Sequence, residues 1–415
     1  MNKNIAEKIL EYAAAGLEAA ASERSNIDDY LDFSLPDPDL RRSVSSILFE
    51  YFRHKSIIDK LLNSLISRPC NPELRHVLCA ATTQMLYQSG IAAASAANVA
   101  VVVAKKRFGQ HIGGFVNAIL RNVARTNFQD FCDKLSVEES SNLPPAIYRH
   151  WQKIYPEQLG SLVELLKHRA ALTFRACGAP LNDEEILSVE AVAVPSVGFH
   201  FYKTESPALL FKSELLKDGR IYVQDPAAAL APTLASPQPN EAVIDLCAAP
   251  GGKTLMLAEL LGDSGCLVVA DRSEVRQKIT EQNLRLRGYQ HPVVIGSVQD
   301  NPFKEQKFDV VLLDVPCSNT GVFHRRPDAL WSFSNKKLNE LVKLQMELLK
   351  AAAKIINPDG RLVYSTCSIE PAENQSLIAL FIRNYPEFQL QTETQLMPCT
   401  GNDGAYVAVL KFHKS

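Results

Sequence analysis

The stretch Ala242-Val243-Ile244-Asp245-Leu246-Cys247-Ala248-Ala249-Pro250-Gly251-Gly252-Lys253-Thr254 decides the fold of the C-terminal half of this 415-residue chain. Residues 242–246 predict a buried strand, and the residues after the glycines predict a helix that runs through Leu261. Gly251 and Gly252 carry no Cβ, so the backbone between strand and helix can pass close to a ligand. The turn is neither a GxGxxG motif nor a P-loop, which disfavours NAD and ATP as that ligand. A tight turn without any ligand is the competing interpretation.

The alternation of strand and helix continues from this turn to the C-terminus. Further strands are predicted at residues 266–271, 292–295, 308–314, 360–366 and 405–412, with helices at 276–286, 338–356 and 373–384. Strands of parallel sheets are buried on both faces and read as near-continuous apolar runs, as these do. Residues 236–415 are therefore predicted to form an α/β domain with a Rossmann-like sheet.

The N-terminal third has a different pattern. Ala-, Leu- and Ile-rich segments recur at helical spacing in residues 6–21, 40–52, 57–65, 73–87, 93–107 and 114–126. They predict an all-α bundle in residues 1–140. Asn142-Leu143-Pro144-Pro145 is the best linker candidate. Residues 146–235 begin with a predicted helix at 148–168 and continue with short apolar runs between charged turns, which predicts a small α+β middle module.

Bulk composition limits the functional classes. The chain is 46% apolar and 22% charged, and its net charge is −2, so any nucleic-acid surface must be a local patch. No apolar run approaches the ~20 residues of a membrane span, and the N-terminus has no signal-peptide pattern. Nine cysteines occur without CxxC pairs, which argues against a disulfide framework and a structural zinc site. We therefore expect a cytoplasmic protein with no metal and no membrane partner.

Acidic residues at strand ends indicate the ligand of the turn. Asp271 ends the second strand, where a carboxylate can bind ribose hydroxyls. The glycine turn followed by this acid suits S-adenosylmethionine, with its amino-acid part at the glycines and its adenine against the third and fourth strands. At the end of the third strand Asp300 is a candidate adenine contact, with Ser297 or the backbone as the alternative. Asp300 could equally be a plain turn residue.

Two cysteines follow predicted strands, in Asp314-Val315-Pro316-Cys317-Ser318 and in Ser365-Thr366-Cys367-Ser368. Both should lie at the carboxyl edge of the sheet, where ligands of open α/β sheets bind. C5 of a pyrimidine is a poor nucleophile until a thiolate adds to C6, so one thiol can attack while the other assists release. Either cysteine alone could be a small buried hydrophobe. Cys247, Cys317 and Cys367 lack the spacing of zinc ligands.

A basic loop with aromatic residues, Asn319 to Trp331, lies between the two cysteines. Arg325 and Arg326 are predicted to contact RNA or substrate phosphates. Phe323 or Trp331 could stack on a base or pack inside the protein, and core packing is the favoured interpretation of Trp331.

These motifs together resemble the NOL1/NOP2/Sun family of RNA cytosine-5 methyltransferases. The resemblance covers residues 224–383 and the last strand, through DLCAAPGGKT, LLDVPCSNTGVFHRRPD, YSTCSIEPAEN and the upstream VQDPA. It implies a class I S-adenosylmethionine-dependent methyltransferase domain in which Cys367 is the nucleophile and Cys317 assists product release. It also implies that Asp314 contacts the cytosine ring and that Lys253 supports the site. The implied cofactor contacts are Cys247, Ala248, Ala249, Pro250, Gly251, Gly252, Lys253, Asp271 and Asp314. Ser297 stands where the family usually has an acid.

The N-terminal region adds a second resemblance. Leu74 to Tyr87 and Gly114 to Arg121 resemble the helical RNA-binding domain of the antitermination factor NusB. That domain ahead of this catalytic core is similar to the Sun/Fmu type of bacterial 16S rRNA cytosine-5 methyltransferase, which implies 16S rRNA as the partner. The run Lys105-Lys106-Arg107 and Arg121 are predicted to contact RNA. Asn117 and Arg121 could equally be a helix cap and a surface ion.

Three functions are compatible with the sequence. The favoured one is S-adenosylmethionine-dependent methylation of C5 of a cytosine in 16S rRNA through a Cys–C6 intermediate, with the base drawn out of its stack. A tRNA m5C methyltransferase would keep the chemistry and change the substrate. A non-catalytic RNA-binding assembly or antitermination factor would keep only the fold, and the intact thiols and glycine turn argue against it.

Overall fold

A computed structural model of the chain describes residues 3–22, 27–262, 265–297, 299, 303 and 306–413. The chain divides into two units. The first unit contains the residues up to Arg169 together with Phe323–Ser332, and the second contains Ala170–Val322 together with the residues from Phe333 onward. The domain boundaries expected near residues 140, 146 and 236 stay predictions.

The first unit is helical. Its helices before residue 170 are α1 (Lys3–Ala21), α2 (Ile27–Ser34), α3 (Pro38–Leu65), α4 (Pro72–Tyr87), α5 (Ala93–Phe108), α6 (Ile112–Arg125), α7 (Phe128–Cys132), α8 (Val137–Ser140), α9 (Pro145–Ile154) and α10 (Leu159–Leu166). Asp37 caps α3 by accepting from the backbone N–H groups of Asp39 and Leu40, and Pro38 fits the first turn. No helix in the described part of the chain is long and apolar enough to cross a membrane.

Most predicted helices are observed, with some differences. The predicted segments 40–52 and 57–65 both lie in α3, and the predicted break between them is a kink at His54, whose backbone is not helical (φ −124°, ψ 17°). The His54 ring stacks on Tyr87 at 3.8 Å between centroids, so the kink packs against α4. The helix predicted at 148–168 is divided into α9 and α10, because Pro156 has no N–H to continue the hydrogen-bond ladder. Helices α2, α7 and α8 were not predicted.

The segment Phe323–Ser332 packs within the helical unit. The indole N–H of Trp331 donates to the carbonyl oxygen of Phe52 at 2.8 Å, and the ammonium of Lys55 lies 4.8 Å from the centre of the Trp331 ring. Phe323 is buried and stacks against Trp151, with 6.0 Å between ring centroids. Core packing of Trp331 is thereby confirmed, and Phe323 has the same role.

The smaller sheet of the second unit is antiparallel, with strand order β2-β3-β1-β4. Its strands are β1 (Leu172–Ala176), β2 (Ala191–Val194), β3 (Phe201–Thr204) and β4 (Ile221–Val223), with helices α11 (Asp183–Ser188), α12 (Pro207–Lys212) and α13 (Glu214–Lys217). This arrangement agrees with the predicted α+β pattern. The fully buried Arg175 donates to Glu259 at 2.6 Å, which links this sheet to the helix after the glycine turn.

The larger sheet has seven strands in the order β10-β11-β9-β8-β5-β6-β7. The strands are β5 (Ala242–Leu246), β6 (Cys266–Asp271), β7 (Val293–Ile295), β8 (Phe308–Asp314), β9 (Ile356–Thr366), β10 (Phe388–Leu396) and β11 (Ala405–Phe412). The remaining helices are α14 (Leu230–Ala235), α15 (Gly252–Leu261), α16 (Glu274–Leu286), α17 (Pro327–Ser332), α18 (Asn335–Ala352) and α19 (Gln375–Asn384). Strands β7, β6, β5, β8 and β9 are parallel. Strand β11 pairs antiparallel with β9, and β10 pairs antiparallel with β11. The predicted Rossmann-like α/β fold is confirmed.

The strand order creates a crevice at one edge of this sheet. Strand β5 pairs with both β6 and β8, so the chain proceeds in one direction from β5 to β7 and in the other direction from β8 to β9. In open α/β sheets ligands bind at such a reversal, outside the carboxyl ends of the strands. Asp271, Asp314 and the two motif cysteines all lie at or just after these ends.

Candidate active site

The glycine turn after β5 is fixed by its own backbone and by α16. Gly251 has a φ of +98°, a conformation that favours glycine. A Cβ at this position would lie 2.9 Å from the Thr280 side chain. Arg276 of α16 donates to the carbonyl oxygen of Ala249 at 2.5 Å. The turn is therefore held against α16 at the end of β5.

A cavity of about 370 Å³ lies at this edge of the sheet. Its size falls in the range of small-molecule sites, roughly 300–1,000 Å³. The lining contains eight of the residues predicted from sequence: Cys247, Ala249, Lys253, Asp271, Ser297, Asp314, Cys317 and Cys367. Ala248, Pro250, Gly251 and Gly252 shape the turn without lining the cavity. The structure thus brings the predicted cofactor and catalytic residues into one space.

Asp271 is oriented by two backbone groups. One carboxylate oxygen accepts from the N–H of Ala249 at 3.1 Å, and the other accepts from the N–H of Ser273 at 2.8 Å. Because a carboxylate oxygen accepts more than one hydrogen bond, both oxygens keep capacity for hydroxyl groups of a ligand. The carboxylate lines the cavity, as its predicted contact with ribose requires.

The end of β7 supplies polar groups to the same cavity. Ser297 and Gln299 both line it. The Ser297 hydroxyl accepts from the N–H of Gln299 at 3.2 Å, and the Gln299 amide donates to Glu347 at 3.0 Å. Asp300 lies outside the described residues. The adenine contact by Ser297 stays a prediction.

Lys253 and Asp314 form an ion pair at the centre of the crevice. The Lys253 Nζ lies 2.7 Å from Asp314 Oδ2, and the two side chains are only 21% and 30% exposed. Burial alone lowers the pKa of Lys253, but the charge and hydrogen bond of Asp314 outweigh it, so the pKa lies above its ordinary value. Lys253 is therefore a fixed positive charge at neutral pH, and it orients the Asp314 carboxylate.

The sulfur atoms of Cys317 and Cys367 lie 3.1 Å apart. This proximity follows from the sheet, because Asp314 of β8 pairs with Ser365 of β9 and each cysteine follows its strand within a few residues. The Cys367 thiol also lies 3.2 Å from the side-chain oxygen of Asn319. The hydrogen bond to Cys367, together with burial, raises the pKa of Cys317 well above its ordinary value. Cys317 therefore holds its proton at neutral pH.

Cys247 is a third thiol at the cavity. Burial raises the pKa of Cys247 to about 12, so it stays a thiol at neutral pH although it lines the cavity. A protonated thiol is a poor nucleophile. Within the described ranges, no three His, Cys, Asp or Glu side chains are grouped as a metal site would require.

Comparison with known proteins identifies the family. Residues 232–409 match the family model described as 16S rRNA methyltransferase RsmB/F, and residues 3–125 match that of the NusB family. Ribosomal RNA small subunit methyltransferase B from Vibrio vulnificus (strain YJ016) is 31% identical over 389 residues, which cover 88% of this chain and 90% of the relative. The chain belongs to the ribosomal RNA small subunit methyltransferase B family. The resemblance inferred from the motifs is confirmed.

Solved structures support the same fold for this member of the family. The crystal structure of PH0851 covers 100% of this chain and 99% of its own, with a TM-score of 0.80 and 24% identity. NSun6 from Pyrococcus horikoshii, solved with SFG, has a TM-score of 0.58 and 17% identity over 66% of this chain and 99% of its own. At these identities the likeness concerns the fold alone.

The residues predicted to contact RNA all lie in the first unit. Lys106 pairs with Glu11 at 2.9 Å, and Arg326 pairs with Asp28 at 2.5 Å. Arg107 pairs with two carboxylates, those of Glu18 and Glu73. Lys105 and Arg325 are half-buried, and Arg121 is exposed on α6. Lys106, Arg107 and Arg326 thus pair with carboxylates within the unit. Contact of the six predicted residues with RNA stays a prediction.

Several residues at the site were missed by sequence reasoning. Arg272, Arg276, Gln299 and Asn319 line the cavity. Glu373 lies behind the two cysteine loops and accepts hydrogen bonds from both. The sequence offered a signal for two of these residues, because Asn319 and Glu373 stand inside the two cysteine motifs. A buried carboxylate cannot be told from an exposed one in a single sequence.

Asp245 is expected to make the stability of the protein depend on pH. Its side chain is fully buried and accepts from the Thr254 hydroxyl at 2.6 Å, and burial raises its pKa to about 7 despite that bond. Because this folded-state pKa exceeds the unfolded value of about 3.9, the stability contribution is complete below about pH 4 and is lost as pH rises through about 7.

The Asp245→Asn variant serves as the reference, because the asparagine side chain does not titrate. The free energy of unfolding of the wild type, relative to this variant, should fall by about 3 kcal/mol between about pH 5 and pH 8. Urea unfolding at a series of pH values measures the difference. A difference that stays constant with pH would contradict the prediction.

Proposed function

We propose that the protein methylates C5 of a cytosine in 16S rRNA, with S-adenosylmethionine as the methyl donor and Cys367 as a covalent nucleophile. The observation that carries this proposal is the contact of two cysteine sulfur atoms, 3.1 Å apart, at the wall of the cavity lined by the glycine turn. Enzymes that transfer hydride and kinases do not use such a pair. A reaction that adds a thiolate to a ring and later expels it can use one thiol to attack and the other to assist release.

The residues around the cavity fit S-adenosylmethionine. Cys247, Ala249 and Lys253 of the turn after β5 line the cavity, and the Asp271 carboxylate can accept from ribose hydroxyls. Ser297 and Gln299 offer polar groups for the adenine. The NSun6 structure was solved with SFG, an analogue of this cofactor, which supports the assignment. When bound, the cofactor supplies an electrophilic methyl group on a sulfonium.

Each charged or sulfur-bearing residue then has a defined task. The Cys367 thiolate adds to C6 of the cytosine, which makes C5 nucleophilic. Asp314, held by Lys253, contacts the ring, and the Lys253 ammonium offsets the negative charge that builds at N3. After methylation water accepts the C5 proton, the C5–C6 double bond re-forms, and the S–C6 bond breaks with its electron pair returning to Cys367 as a thiolate. Cys317, the neighbouring protonated thiol, assists that release.

The RNA must present the target base outside its helix. Ring atoms inside a stacked duplex are inaccessible, so the cytosine has to be drawn into the pocket beside Cys367. The NusB-like helices, with Arg121 exposed on α6, would hold flanking RNA through phosphates. We expect a protein that methylates 16S rRNA to act in the cytoplasm.

Two other functions make different demands. A tRNA substrate would use the same cavity, and the matches to 16S rRNA methyltransferases disfavour it. A non-catalytic assembly factor would not need the Lys253–Asp314 pair or adjacent thiols, and both are present. No observation favours either alternative.

Two measurements test the proposal. Bisulfite sequencing of rRNA from cells lacking the protein should show loss of one 5-methylcytosine in 16S rRNA, restored by the wild-type gene and not by Cys367→Ala. Calorimetry should detect S-adenosylmethionine binding to the purified protein. Unchanged 16S rRNA together with a lost tRNA methylation would support the tRNA alternative, and absence of cofactor binding would support the assembly factor.

A further inference from the structure

Glu373 is a buried carboxylate that the proposed chemistry does not use. It follows Cys367 by six residues in the segment between β9 and α19, and it is inaccessible to solvent. Burying a carboxylate is costly unless hydrogen bonds replace its water. Burial raises the pKa of Glu373 even though several hydrogen bonds oppose it. Such a costly group requires a structural reason.

The hydrogen bonds of Glu373 join the two cysteine loops. Each motif cysteine is followed by a serine, and the hydroxyls of Ser318 and Ser368 both donate to Glu373 Oε2 at 2.5 Å. The other oxygen accepts from the backbone N–H of Ser318 at 2.9 Å and from the Gln345 amide at 2.8 Å. One carboxylate therefore binds the residue after each sulfur-bearing side chain.

Further contacts tighten the same junction. Gln345 uses its second N–H to donate to the carbonyl oxygen of Pro316 at 2.9 Å, directly before Cys317. The N–H of Gly321 donates to the carbonyl oxygen of Cys367 at 3.0 Å. A Cβ at Gly321 would lie 2.6 Å from that oxygen, so the approach requires glycine. The loops are thus joined on both sides of the sulfur pair.

We infer that Glu373 is a positioning residue that holds the Cys317 loop and the Cys367 loop in one arrangement, so that both sulfur atoms face the same ring. The expected effect on methylation rests on the proposed function. The positioning of the two loops rests on the hydrogen bonds alone. Methylation should depend on Glu373 through kcat, because misplacing a reacting group by about 1 Å can cost about a hundredfold in rate. KM for RNA should change little, since Glu373 does not line the cavity.

The test measures how closely the thiols are held, without any RNA. In a glutathione redox buffer, Cys317 and Cys367 lose two electrons and two protons to form one disulfide, while oxidised glutathione is reduced to two molecules of glutathione. The equilibrium constant reports the effective concentration of one thiol at the other. It should fall at least about tenfold in Glu373→Ala and less in Glu373→Gln, which keeps one acceptor oxygen. Glu241→Gln is the matched control, because that carboxylate binds Arg361 before the start of β5, at the opposite edge of the sheet.

The outcomes separate the inference from the proposed function. An unchanged constant in a folded Glu373→Ala variant would overturn the positioning role, whatever the enzyme methylates. If that variant does not fold, the double variant Ser318→Ala/Ser368→Ala removes both hydroxyl bonds to Glu373. An unchanged equilibrium constant for the disulfide in this variant would likewise overturn the positioning role. A lowered constant in a protein that methylates no cytosine would support positioning and refute the proposed function.

Discussion

The Cys317→Ala variant is expected to accumulate a covalent complex with its RNA. Cys367 can still add to C6 in this variant, but the neighbouring thiol that assists release is gone. The Cys317 sulfur lies 3.1 Å from the Cys367 sulfur, and the side-chain oxygen of Asn319 lies 3.2 Å from it. Of these two neighbours, only Cys317 carries a thiol. Turnover should fall by about a thousandfold or more, while adduct formation persists. Denaturing gel electrophoresis with labelled RNA measures the adduct.

Cys367→Ala should also lose turnover, but without forming an adduct, because it removes the nucleophile. Cys266→Ala is the matched control, because Cys266 is an exposed cysteine at the start of β6, away from the carboxyl ends of the strands. Normal methylation by both active-site variants would refute the covalent mechanism. An adduct in Cys317→Ala that mapped to a peptide without Cys367 would do the same.

Asp314→Asn is expected to lower kcat by about a hundredfold to a thousandfold, with no adduct accumulation. The amide keeps the shape of the side chain but loses the negative charge that pairs with Lys253 at 2.7 Å. The lysine then has no carboxylate to orient, and the contact of residue 314 with the ring is altered. Addition to C6 therefore slows, so this variant should form less adduct than Cys317→Ala.

Lys253→Met tests the same pair from the other side. It keeps the side-chain length and removes a positive charge that interacts with Cys367 as well as with Asp314. Alkylation of Cys367 by iodoacetamide should slow, because the thiolate loses a favourable charge. Peptide mass spectrometry follows that reaction, with Cys399 as an internal exposed reference. An unchanged alkylation rate together with unchanged kcat would show that the ion pair has no part in the reaction.

The central α/β fold and the composition of the site could be predicted from sequence because local signals carried them. The apolar runs of β5, β6 and β8 predict strands whose carboxyl ends share one edge, and the turn motif and both cysteines follow such strands. Strand β10 escaped prediction because most of its residues are polar and exposed, so only its antiparallel pairing with β11 makes it a strand.

The remaining features depend on contacts between distant residues. The sequence places Glu373 within a cysteine motif, but its bonds to Ser318 and Gln345 span 55 and 28 positions. Likewise, the LLDVPCSNTGVFHRRPD motif reads as one loop, yet the structure assigns its end to the helical unit. A motif identifies residues that recur together and does not reveal which part of the molecule each one packs in.

The segment Phe323–Ser332 constrains how a gene for this protein can be altered. The backbone passes from one unit to the other at 169/170, at 322/323 and again at 332/333. A shortened gene that starts at residue 170 would encode Phe323 and Trp331 without Trp151 and Phe52, and the stranded rings would promote aggregation. Recombination that exchanged the N-terminal part alone would therefore separate residues that pack on one another.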